Sequence, residues 1–104
     1  LTDISIRDTV TSIGSGAFSG CTNLTEIIIP NNVTSIGKQA FDSCKKLTEV
    51  SMEGAAPEMG EDVFYSCNKL TTINVPRRHL ATYQKAPWND SEYYHDYYED
   101  EYYY

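Results

Sequence analysis

The sequence predicts a mainly β solenoid with short helical turns, made of three to four 23-residue coils and closed by a C-terminal cap. Three observations predict it. Leu1, Leu24, Leu47 and Leu70 recur every 23 residues, as do Phe18, Phe41 and Phe64, and Cys21, Cys44 and Cys67. Within a period, apolar residues such as Ile27 and Ile29 stand two apart, which is the alternation of a strand with one buried face. A unit this short cannot bury its apolar side alone and must stack on its neighbours to make a core.

The second copy shows each element in order. Leu24-Thr25-Glu26-Ile27-Ile28-Ile29 reads as a strand, and Pro30 ends it, because proline has no N–H to continue a ladder. Val33 and Ile36 supply a second short apolar segment on another side of the coil. Gly37 is expected to take a backbone conformation that a side chain hinders. Ala40-Phe41 followed by Cys44 has helical spacing over one turn, so a short 3-10 or α turn is expected there.

The other copies depart in places. The first has Arg7 where proline is expected. The third replaces the usual bend with Glu53-Gly54-Ala55-Ala56-Pro57, and puts Met59 and Val63 where Ile and Ala stand in the second. The fourth begins with Leu70-Thr71-Thr72-Ile73-Asn74-Val75-Pro76 and then breaks. Arg77 to Lys85 is helix-compatible, and Leu80, Tyr83 and Trp88 are the expected lid over the last coil. The chain thus divides into a repeat array at 1–76, a capping segment at 77–89 and an acidic Tyr-rich tail at 90–104.

Charge is distributed unevenly. Residues 90–104 hold six of the fifteen acids and none of the eight Lys and Arg, which leaves the rest of the chain near −1. No basic patch interleaved with aromatics occurs, which argues against a nucleic-acid partner. No run of 18 apolar residues exists to span a membrane. The chain begins in register with a repeat, without an initiator Met or a signal peptide, and reads as a fragment or a processed form. Three cysteines at the repeat spacing lack the short C-x-x-C steps of a zinc site, and read as stacked thiols in a core. No metal site, no cofactor site and no catalytic constellation is expected. His79 falls in the capping segment and His95 in the tail, and the glycines punctuate the repeat rather than form a phosphate loop. The chain is therefore not read as an enzyme.

The unit resembles the BspA-like, or Treponema-type, class of bacterial surface leucine-rich repeats. The resemblance covers residues 1–76 and rests on Leu, the paired Ile, Pro, Val, Ser-Ile-Gly, Ala-Phe and Cys at fixed positions of the second copy. Val75-Pro76 through Trp88 is similar to the family's closing element. The resemblance implies a right-handed leucine-rich-repeat solenoid, an extracellular or cell-surface location, and adhesion to host proteins or to other cells. The tail after Asn89 departs from the family's pattern.

Residues between the buried strand positions face outward. They give one column of Asp3, Glu26, Glu49 and Thr72 and another of Ser5, Ile28, Ser51 and Asn74. Asp3, Ser5, Glu26, Ile28, Glu49, Ser51 and Asn74 are the candidate partner-binding residues. The acidic column reads equally as a ligand-facing ridge and as a solvated face, since stacked like charges repel yet are screened. The expected partner is a protein, or a second copy of the chain at the uncapped first coil, whose strand edge is open.

In the tail, Tyr93, Tyr94, Tyr97, Tyr98, Tyr102, Tyr103 and Tyr104 alternate with acids, a composition expected to stay disordered unless docked or assembled. Those tyrosines are candidate modification or assembly sites. The leading function is a non-enzymatic protein-binding or adhesion scaffold. The alternative is a precursor or assembly subunit whose tyrosine tail is modified, cross-linked or polymerised.

Overall fold

The computed structural model describes residues 3–85. Leu1, Trp88 and the tyrosine-rich tail lie outside the described residues. Seven short strands follow one another: β1 (Asp3–Ile4), β2 (Ser12–Ile13), β3 (Glu26–Ile29), β4 (Ser35–Ile36), β5 (Glu49–Met52), β6 (Glu58–Met59) and β7 (Thr72–Asn74). The odd-numbered strands form one parallel sheet in the order β1-β3-β5-β7, and β2-β4-β6 form a second. Every registered pair is separated by one repeat, as in Ile4 with Ile27 and Ile27 with Val50. Parallel neighbours one period apart are what equal-length repeats dictate when each bond reaches its own equivalent.

A third side is built from turns. The sequence predicts a helical turn at Ala40 to Cys44, whereas these residues form consecutive tight turns. Alternate N–H groups take alternate partners there. Ala40, Asp42 and Cys44 donate to the carbonyls of Gly37, Gln39 and Phe41 within the repeat. Gln39, Phe41 and Ser43 donate to Glu61, Val63 and Tyr65 of the next repeat. A helix would direct all these groups inward along its own axis. The alternation requires left-handed backbone at Gln39, Ser43, Asp62 and Ser66, and Gly16 and Gly20 hold the same positions in the first repeat. Gly37 is not among the left-handed residues. Its constraint is proximity, because a Cβ there would stand 2.5 Å from the nitrogen of Ser15 in the preceding repeat.

The core lies between the three sides, in rows of equivalent residues. Leu24, Leu47 and Leu70 are buried, as are Ile27, Val50 and Ile73, and Ile29, Met52 and Val75. Phe18, Phe41 and Phe64 stack with centroids 5.2 and 5.5 Å apart and planes within 15° and 12° of parallel. Threonine at the second repeat position adds side-chain bonds between repeats. The hydroxyls of Thr48 and Thr71 donate to the carbonyls of Thr25 and Thr48.

After β7 the chain makes a one-turn 3-10 helix, Arg77–His79, and a one-turn helix α1, Leu80–Tyr83. Tyr83 is wholly buried and joins the core, where its hydroxyl donates to the carbonyl of Gly54 at 2.6 Å. The Ala56 N–H donates to the Thr82 hydroxyl, and Arg78 donates to the Glu53 carbonyl. The unusual stretch Glu53 to Pro57 is thus the surface that receives α1. Gly54 has no room for a side chain, since a Cβ would stand 2.6 Å from the Asn31 carbonyl oxygen.

Candidate functional site

The outer face of the four-stranded sheet gathers most of the residues that the sequence singled out. The register places Asp3, Glu26, Glu49 and Thr72 in one row and Ile28, Ser51 and Asn74 in the next. The side chain of Asp3 lies outside the described residues. Ser5 is exposed and lies beyond the end of β1. Ile28 is 55% exposed, an aliphatic side chain presented to solvent from the middle of an acidic face.

Asn74 keeps its place in the outward row but is not open to a partner. It is only 3% exposed and lies against its neighbours in the sheet. Its amide nitrogen donates to Glu49 Oε2 at 2.5 Å and to Ser51 Oγ at 3.1 Å, which uses both of its hydrogens. A buried amide is held by such bonds, and here they also orient the Glu49 carboxylate. Its Oδ1 is buried and has no hydrogen-bond partner.

A shallow recess of about 250 Å³ opens beside Ile28 and is lined by Ser5, Asp8, Glu26, Pro30 and Glu53 among others. Asp8 adds an acid that the strand pattern does not reveal, because it sits in the bend that follows β1. A second recess, of about 940 Å³, lies where the last repeat meets the 3-10 helix and is lined by Asn31, Met52, Glu53, Pro76, Arg77 and Arg78. The first recess presents carboxylates and aliphatic surface, while the second mixes both charge signs.

Cys44 and Cys67 lie inside, whereas Cys21 is half-buried. Cys44 Sγ donates to the Phe18 carbonyl at 3.3 Å, and Cys67 Sγ donates to the Phe41 carbonyl at 3.0 Å. A hydrogen bond with Cys44, together with burial, pushes the Cys67 thiol well up from its ordinary value. A thiol that keeps its proton is a poor nucleophile and a poor metal ligand. Among the described residues, no group of three or more His, Cys, Asp or Glu is placed to hold a metal ion. No helix among them is long and apolar enough to cross a membrane.

Two parallel sheets at a 23-residue register, stacked Phe and Cys rows and a turn-built third side carry the same pattern that a family comparison detects. The BspA-type leucine-rich repeat region, described in six copies, matches residues 1–91. The chain belongs to the BspA-type leucine-rich repeat family. No curated protein and no solved structure matches it. BspA-type repeats are generally protein-binding and surface-associated, and leucine-rich repeats are typically non-catalytic. In this BspA-type chain the match runs past β7 and covers the segment that delivers Tyr83 to the core.

Proposed function

We propose that the chain is a non-enzymatic protein-binding and adhesion scaffold of an extracellular or cell-surface protein. In this reading it is a right-handed solenoid of three to four 23-residue coils, with residues 1–76 as the array, 77–89 as its cap and 90–104 as a charged tail. The observation that carries the reading is the exposed Ile28, set in the sheet beside Glu26 and next to an acid-lined recess. An isolated exposed aliphatic residue is ordinary. One flanked by carboxylates, with Glu49 held by Asn74, suits a segment that brings Lys or Arg together with an apolar side chain. Glu26, Ile28, Glu49 and Ser51 are the contact residues, and Asn74 positions Glu49 from beneath.

A displayed library of peptides rich in Lys and Arg tests this reading. Peptides retained by the chain are titrated against the wild type and against Glu26→Lys and Ile28→Asp. The expected outcome is loss of binding by about tenfold or more for each variant, since a central anchor and a facing charge are the usual hot spots. Retained peptides whose affinity neither substitution moves would place the interface elsewhere.

A further inference from the structure

The two recesses at the edges of the outer sheet differ in charge. The one beside Ile28 is bordered by Asp8, Glu26 and Glu53. The larger one, of about 940 Å³ where the last repeat meets the 3-10 helix, holds Arg77 and Arg78 against a single acid, Glu53. Both arginines are exposed, while Met52 and Pro76 line the same recess from buried positions. Arg78 donates from Nη2 to the Glu53 carbonyl, and among the described residues neither guanidinium is paired with a carboxylate. A guanidinium carries five N–H donors, so most of those on this pair are left for other acceptors.

The same chain carries a segment of complementary composition. Residues 90–104 hold six acids, seven tyrosines and no Lys or Arg. Carboxylates match the guanidinium fork. Tyrosine rings match guanidinium faces and the thioether of methionine. The acids around Ile28 repel such a segment, which leaves the arginine recess as the favourable one of the two. Distance permits the contact. Arg77 and Arg78 open the 3-10 helix, and from there two one-turn helices advance the chain only about 12 Å by Tyr83. The five residues from Lys85 to Asp90 span at most about 18 Å, enough to turn back to the recess.

We propose that residues 90–104 dock in this recess of their own chain, with carboxylates on Arg77 and Arg78 and tyrosine rings over Met52 and Pro76. The tether selects the occupant. A short tether supplies an effective concentration of about a millimolar, so a contact of only about 0.1 mM affinity is made about nine-tenths of the time. A second copy at about 1 μM offers the same segment about a thousandfold more thinly. The charges meet at an exposed rim, so salt weakens the contact. It uses a different recess from the Ile28 contact, and each of the two readings can fail without the other.

Chymotrypsin, which cuts after tyrosine, tests the contact. Cleavage within residues 90–104 is timed by mass spectrometry in the 104-residue chain and in a free peptide of those residues. The chain is expected to be cut about tenfold more slowly than the peptide, at a rate independent of protein concentration, and about 0.5 M NaCl should remove most of the difference. Arg77→Glu with Arg78→Glu should bring the rate close to that of the peptide. Arg77→Glu alone leaves the Arg78 bond to Glu53 in place, and should raise the rate about threefold or more at an unchanged melting temperature. Lys45→Glu with Lys46→Glu makes the same change of charge on exposed residues of another side and should leave the rate as in the parent. A parent chain cut as fast as the peptide would overturn the proposal, and so would equal acceleration by the lysine and arginine pairs. Protection that grows with protein concentration would overturn it too, since a second copy would then be the partner.

Discussion

The two ends of the described array are both apolar and differ in what lies against them. At the C-terminal end, Leu80 and Tyr83 lie against the last repeat, and three bonds tie their segment to Glu53, Gly54 and Ala56. At the N-terminal end, Ile4, Ile6, Val10 and Phe18 line an open trough. Phe64 is buried while Phe18 is half-buried, although both occupy one row. A side chain in such an array therefore derives its contribution from its neighbours more than from its own chemistry. Identical residues one repeat apart need not have equal effects when removed.

Aromatic truncation breaks this comparison most directly. Phe41 stacks between Phe18 and Phe64 and is wholly buried, so Phe41→Ala is expected to cost about 3–5 kcal/mol. Phe18→Ala removes a ring with one stacking partner and is expected to cost about 1–2 kcal/mol, because less apolar area returns to water. Equal losses in urea melts of the two variants would refute the idea that position sets the value. The closed end is probed by Tyr83→Phe, which keeps the ring and removes the bond to Gly54. A cost of about 1–3 kcal/mol is expected, the penalty for a buried acceptor left without its donor.

Alkaline pH probes the Cys67 thiol, whose shared hydrogen bond with Cys44 moves the two thiols in opposite directions. The Cys67 thiol keeps its proton in the fold to higher pH than it does in the unfolded chain. The stability it contributes is therefore complete below about 8.5, the ordinary thiol value, and falls as pH rises. Denaturant curves of the wild type and Cys67→Ala should converge as pH rises; a constant gap between them would remove the thiol as the cause. The smallest effect belongs to the exposed face. Ile28→Ser should leave the melting temperature within about a degree, consistent with a surface substitution of less than about 0.5 kcal/mol.

Much of this architecture was legible because the period is exact. A 23-residue spacing fixes which residues become neighbours, so the rows through Leu24, Ile27, Ile29, Phe41 and Cys44 follow from counting. The outward rows through Glu26 and Ile28 follow from alternation along β3. The turn side was not legible from spacing alone. Ala40, Phe41 and Cys44 have helical intervals, and an alternating turn series satisfies those intervals equally well. The signal lay in the first repeat, where Gly16 and Gly20 stand at the places that Gln39 and Ser43 occupy in left-handed backbone. Glycine there marks the strained positions that the inner repeats fill with ordinary side chains. The burial of Asn74 was also hidden. Alternation points it outward, and only the amide bonds to Glu49 and Ser51 explain its place.

The bonds between repeats on all three sides run across the strands and turns, and hence along the length of the stack. A force that draws the two faces of one interface apart is shared among every bond of that interface at once. A force on one chain end meets those bonds in succession, as a zipper does. The place where load enters would then decide whether the array yields abruptly or unravels.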